Sequence, residues 1–236
     1  MKIAIMQPYI FPYIGYFQLL NVVDKFIVYD DVSFIKQGWI NRNYILANNK
    51  PLLFTIPIAN ISSFKKINET TINQAVYQQW QDKFLKTVQL NYQKAPFFNP
   101  VFEGIKKVFD SNADSLTTIL LKSLQFVIDY LNLQTQVEST SSVYCNCDLS
   151  GQERILDICK KEKASSYYNL IGGKSLYNKS DFERESIALY FIRPSININT
   201  TGQNGEEMHS HLSMIHVLMH NSPETVRQLL KQYEIS

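Results

Sequence analysis

The chain has 236 residues, 45% of them apolar, and its 23 Lys and Arg stand against 21 Asp and Glu for a formal charge of +2. That length suits one large domain or two small ones with a proper core, and the near balance of charge disfavours a dedicated nucleic-acid binder. No apolar run approaches the roughly twenty residues of a membrane span and the start lacks a secretory pattern, so the expected compartment is the cytoplasm.

Lys2 to Met6 is a short apolar run of the buried-strand kind. Gln7 to Tyr13 follows as an aromatic loop, because Pro8 and Pro12 lack the N–H a sheet needs. Pro12 can open a helix, and from Tyr13 onward Phe17, Leu20 and Val23 recur at helical spacing. Lys25 to Tyr29 is a second strand, so the first unit has the strand, helix, strand order of a parallel crossover. Ligands of such units sit at the carboxyl ends of the strands. That edge carries Gln7, Tyr9, Tyr13, Gly15, Tyr16, Asp30 and Asp31.

Asp31 to Asn43 reads as a polar, aromatic connector with Lys36, Gly38, Trp39, Asn41, Arg42 and Asn43. Asn48 and Asn49 form a turn before a strand at Lys50 to Pro57, and Ile61 to Ile72 fits either loop or irregular strand. Helical spacing begins at Asn73 and stops before Pro96. An aromatic turn at Phe97 to Pro100, a helix at Val101 to Phe109, a polar break at Ser111 to Asp114 and a helix at Ser115 to Leu131 complete a helical block.

Gln134 to Val143 is strand-like, Ser150 to Lys163 a helix with Ile155, Leu156, Ile158 and Cys159 inward, and Ser165 to Leu170 a strand. Cys145, Cys147 and Cys159 fit no disulfide framework and read as reduced thiols. Phe182 to Ala188 reads as a short helix, Leu189 to Ile192 as a strand stopped by Pro194, and Ser195 to Gly205 as a loop. Two helices close the chain, Met208 to His220 and Pro223 to Tyr233. The predicted fold is α/β, a parallel Rossmann-like, nucleotidyltransferase-like sheet with a mainly helical subdomain. The expected parts are an N-terminal ligand-binding unit at 1–72, a helical subdomain at 73–132 and a C-terminal part at 133–236 that completes the same body.

Met6-Gln7-Pro8-Tyr9, Phe11 to Phe17, Asp24-Lys25-Phe26, Tyr29-Asp30-Asp31 and Gly38 to Asn43 carry a resemblance to the WbqC-like family. It continues more weakly to the C-terminus through Trp80, the Gly172-Gly173 turn and Leu212-Ser213-Met214-Ile215. One departure is His216, which stands where the family usually has an Asp. The resemblance implies bacterial surface-polysaccharide (O-antigen, lipopolysaccharide) biosynthesis, and transfer of glycine has been suggested for some members. A more distant likeness is to nucleotidyltransferase-like folds such as pantothenate synthetase. There Tyr13-Ile14-Gly15-Tyr16 occupies the place of a His-x-Gly-His motif, without its histidines.

Gln7, Tyr9, Tyr13, Gly15 and Tyr16 are the first candidate ligand contacts, set against simple packing of a tight loop. Asp30 or Asp31 is the candidate catalytic carboxylate, able to take a proton or hold Mg²⁺, or else both cap turns. Strand alternation points the two to opposite sides. Arg42 with Asn41 can clamp a phosphate or carboxylate, and Trp39 can be core or a stacking platform for a sugar or base. Gly172-Gly173-Lys174-Ser175 lacks the first Gly of a P-loop, since Tyr168 stands there, which leaves Lys174 as a phosphate contact or a solvated turn residue. His216 and His220 share a helix face at a spacing two metal ligands use, with His209, His211, Glu206 and Glu207 nearby, yet no His-Glu-x-x-His motif occurs.

The leading expectation is a transferase that forms an amide or acyl link, glycyl by family suggestion, on an amino sugar or its nucleotide-linked form, with ATP or Mg²⁺ as possible cofactors. One alternative is a non-catalytic nucleotide-sugar-binding or scaffold protein. Another is a metal-dependent hydrolase built on the histidine cluster.

Overall fold

In chain order the elements are β1 (Lys2–Met6), α1 (Ile14–Val22), β2 (Lys25–Val28), β3 (Arg42–Ala47), β4 (Lys50–Thr55), α2 (Gln74–Tyr92), α3 (Phe98–Phe109) and α4 (Leu116–Leu131). Then come β5 (Gln136–Glu138), α5 (Gly151–Lys161), β6 (Ser166–Leu170), α6 (Lys179–Arg184), β7 (Ala188–Pro194), α7 (Met214–His220), α8 (Pro223–Leu229) and β8 (Tyr233–Ile235). The structure, a computed structural model, describes residues 1–109, 114–195 and 212–236.

Six strands form one sheet in the order β5-β2-β1-β6-β7-β8, parallel throughout except where β8 runs antiparallel to β7. Both faces are covered, which is why Ile3, Ala4 and Ile5 are all buried and the strand reads as a continuous apolar run. Alternation sends Ala4, Phe26, Val28 and Tyr168 into a core with α1 to α4 and α7. It sends Ile3, Ile5, Ile27, Tyr167 and Phe191 into a second core with α5 and Phe182 of α6. The architecture is α/β and Rossmann-like, as the sequence predicts.

The chain moves outward from β1 to β2 to β5, then returns past β1 to lay down β6 and β7 on the other side. The loops after β1 and β6 therefore diverge, leaving a crevice at the carboxyl ends of these strands. Among the described residues no helix is long and apolar enough to cross a membrane.

Several elements depart from the sequence reading for identifiable reasons. Arg42 to Ala47 is a strand rather than connector and loop, and it pairs with β4 in a separate antiparallel hairpin. Asn48 and Asn49 take positive φ, 50° and 58°, at its turn, the backbone that Asn tolerates and tight hairpins require. The hairpin contributes nothing to the main sheet. Pro100 lies inside α3 rather than in a preceding turn, because it falls in the first helical turn where its missing N–H has no partner to lose. The strand-like stretch at Gln134 contributes only three residues, then tightens into a 3-10 turn at Ser141–Tyr144. Helix α6 starts and ends earlier than read, freeing Ala188 to begin β7. The last predicted helix ends at Leu229, and Tyr233 opens β8. Most of the Ser111 to Asp114 break, the Ser195 to Gly205 loop and the residues from Met208 to His211 lie outside the described residues.

Candidate functional site

The loop after β1 is held from three sides. Ile10 N–H donates to Ile40 O at 3.0 Å, and Asn43 Nδ2 donates to Ile10 O at 3.0 Å and Phe11 O at 2.7 Å. Met214 N–H reaches Pro12 O at 3.0 Å, and Tyr13 N–H donates to Tyr9 Oη at 3.0 Å. Phe11 takes φ 42°, a left-handed value that this bonding sustains. Asn43 is thus the clamp of the loop, and Asn43→Ala removes the side-chain donor from Ile10 O and leaves Phe11 O with the longer bond from Met214 N–H at 3.3 Å. We expect a loss of about 2–3 kcal/mol, read as a lower urea midpoint at unchanged slope.

The tyrosines of this segment divide by position. Tyr16 lies in the core and lines neither cavity at the carboxyl end of β1: it is 1% exposed, its ring packs against Phe26 at 5.2 Å and edge-on to Tyr9 at 5.5 Å, and its Oη donates to Gln7 O at 3.3 Å. Gly15 is covered by the Tyr13 ring. A Cβ there would stand 2.5 Å from Tyr13 Cε2. Gly15→Ala should therefore push the Tyr13 ring away at a cost of about 1–3 kcal/mol. Thermal denaturation should show most of that cost vanish when the same change is made beside Tyr13→Ala. Burial raises the pKa of Tyr9, Tyr13 and Tyr16, so all three act as neutral phenols.

Two cavities open at the carboxyl end of β1, of about 900 Å³ and about 610 Å³, and Met6, Gln7 and Tyr13 line both. The larger fills the crevice between the ends of β1 and β6, with Tyr29, Asp31, Lys66, Gln152, Arg154, Asn169 and Tyr177 among its walls. The smaller is walled by Pro8, Tyr9, Ile35, Gly38, Trp39, Ile40 and Asn43. Gln7, Tyr9, Tyr13 and Trp39 thus converge on one pair of cavities.

Asp30 and Asp31 diverge, as alternation requires. Asp30 lines neither cavity; its Oδ1 accepts from Thr140 Oγ1 at 2.7 Å and Ser141 N–H at 3.1 Å. Burial pushes its carboxyl above the ordinary range against the opposing pull of those two bonds. Asp31 faces the larger cavity, where its Oδ2 accepts from Arg154 Nη2 at 2.5 Å and its Oδ1 from Ser141 Oγ. Both partners of this ion pair are about 95% buried, with 4% and 5% of their side chains exposed. Arg154 is fixed further by Asn146 Oδ1 at 2.9 Å and by the Tyr29 ring, 4.9 Å from its guanidinium carbon.

Sequence reasoning missed Arg154. The available signal was a charged residue on the inward stripe of its helix, one turn before Ile158. The first turn of α5 also borders the larger cavity. Ser150 at its N-cap makes no side-chain capping bond, and a Gly151 Cβ would meet nothing within 4 Å beyond its chain neighbours and its own helix backbone. Backbone N–H groups at a helix start favour an anion. Opposite, Gly173 passes so close to Asn169 that a Cβ would meet its amide at 3.3 Å.

The remaining candidates lie elsewhere. Asn41 is 8% exposed and donates to Ile56 O at 2.8 Å, a bond that joins the connector to the chain beyond β4. Arg42 lines neither cavity; its guanidinium carbon stands 5.8 Å from the Trp39 ring, and its buried Nε makes no hydrogen bond. Lys174 is exposed on the 3-10 turn Ile171–Leu176 and lines neither cavity, whereas Gly172 and Gly173 line the larger. His216 is 6% exposed with Nδ1 at 3.2 Å from Tyr92 Oη, and its ring centre is 4.7 Å from that of His220. Partial burial lowers the pKa of His220. Among the described residues no three His, Cys, Asp or Glu come together as metal ligands. His209, His211, Glu206 and Glu207 lie outside those residues.

Fold and crevice together define a Rossmann-like protein with an open cleft at the reversal of its strand order. The chain belongs to the WbqC-like protein family, whose sequence profile matches residues 7–228. It is also 28% identical over 188 residues to an uncharacterized protein of Mycobacterium tuberculosis (strain ATCC 25618 / H37Rv), Rv1507c, a match covering 79% of each chain.

Proposed function

We propose that this protein is a transferase of surface-polysaccharide biosynthesis that joins an acyl group, with glycyl the leading cargo, to the amine of a nucleotide-linked amino sugar. The observation that supports it best is the 900 Å³ cleft, which has the size of a small-molecule site and combines an uncapped helix start, a buried arginine and polar tips at one strand edge. In this reading the diphosphate rests on the first turn of α5 and the Gly172-Gly173 backbone. Gln7, Tyr13 and Asn169 orient the sugar. With the acyl carboxylate activated by ATP as a mixed anhydride with phosphate, the amine nitrogen bonds to the acyl carbonyl carbon, the bond from that carbon to the phosphate oxygen breaks, the phosphate leaves with the bonding pair, and Asp31 accepts the amine proton. Each Asp31 oxygen has a second lone pair available for this beyond the bonds to Arg154 and Ser141.

Incubation of the purified protein with amino-sugar nucleotides, glycine and ATP, followed by mass spectrometry, should show a product heavier by one glycyl residue. No mass change across a broad panel of sugars and acyl donors would count against transfer. A binding or scaffold role is the second reading, favoured by the engagement of both carboxylates and by the absence of histidines from the start of α1. Stabilisation by a nucleotide sugar in a thermal shift, without turnover, selects that reading.

A further inference from the structure

The smaller cavity has chemistry of its own. No charged side chain lines it, and its volume of about 610 Å³ is that of a small-molecule site rather than a protein groove. Trp39 and Ile35 border it while remaining 50% and 52% exposed. The Trp39 indole lies edge-on to Tyr44 at 5.7 Å, with the Arg42 guanidinium carbon 5.8 Å from its centre. Gly38 holds the turn between the two apolar side chains, since a Cβ there would crowd Ile35 O at 3.0 Å. A half-open indole with two ring neighbours, on the same concave apolar wall as Tyr9, matches a planar ring, which gains both buried area and stacking geometry.

Tyr13 and Gln7 stand between this cavity and the larger one and belong to both walls. A ligand in one cavity therefore faces a ligand in the other across two polar tips. We infer that the smaller cavity is a second ligand site, taking a molecule of the nucleoside class whose planar ring stacks on Trp39, with Gln7 and Tyr13 at the junction. The site stands on its own geometry. Only its role as the place of a co-substrate rests on the transferase reading, and that reading is tested separately by product mass.

Adenosine is a suitable probe because it is uncharged and carries a planar base. Trp39 and Trp80 are the two tryptophans of the chain, so Trp80→Phe leaves Trp39 as the reporting indole. Titration of adenosine into that full-length variant should quench its fluorescence saturably. Calorimetry should then show adenosine binding within about threefold of wild type for Trp39→Phe and weakened about tenfold or more for Trp39→Leu, which keeps apolar bulk but no ring face. Phe64→Ala serves as the control, because Phe64 is 97% exposed and lines only the larger of these two cavities. Its adenosine affinity should match wild type. Absence of saturable quenching, equal affinity in Trp39→Leu, or loss of binding in Phe64→Ala would each overturn the assignment. A failure to detect transfer product would leave these results untouched.

Discussion

Asp31→Ala is expected to destabilise the protein by about 3–5 kcal/mol, because it strands the Arg154 guanidinium in the interior without its counter-charge. The pair is almost wholly buried, with 4% and 5% of the side chains exposed, so solvent screens the attraction only weakly. For a chain of this size the loss corresponds to a fall in Tm of about 10 °C, measurable by calorimetry. The double replacement Asp31→Leu with Arg154→Met should recover much of that stability, since two apolar groups remove both desolvation costs. If the double variant folds well yet no longer responds to nucleotide sugars in a thermal shift, the pair serves binding rather than folding alone. A single Asp31→Ala variant as stable as wild type would show that the ion pair does not exist in solution.

The second large effect concerns Tyr16. Tyr16→Ala should cost about 3–5 kcal/mol, the penalty of emptying a ring-sized volume against Phe26 and Phe17. Tyr16→Phe should cost about 1 kcal/mol or less, because it removes a single long bond to Gln7 O and keeps the ring. A ligand-binding phenol would differ in one readout only, with the Phe variant equally stable but deficient in binding. Urea unfolding of both variants, with nucleotide-sugar titration of the Phe variant, separates the two roles.

Tyr16 also shows why part of the site was illegible in the sequence. The sequence places Tyr13 and Tyr16 together at the ligand edge after the first strand, because both carry polar tips where a crossover opens. Every residue of α1 from Ile14 to Leu20 is buried, so the helix has no polar face over this stretch, and the phenol was bound to be core. The strands of the first crossover were legible because burial on both sides leaves an uninterrupted apolar run. β3 was not, because Arg42 and Asn43 read as loop residues until the Asn48-Asn49 turn pairs them with β4. The polar rim of the cleft comes from segments far apart in sequence. Asp31 meets Arg154 across 123 positions, a juxtaposition that strand order decides and local pattern cannot. Gln7 and Tyr13 line both cavities because they follow directly on the strand at which that order reverses.

The central claim is that the crevice between β1 and β6 is the seat of a phosphorylated ligand. A crystal structure of the protein with a bound nucleotide-linked amino sugar tests it most directly. Phosphate density beside Ser150, Gly151 and Gln152, within reach of Arg154 and the Gly172-Gly173 backbone, is the predicted result. Ordered ligand density at the His216–His220 pair or on another face, with this crevice filled only by water, would contradict it.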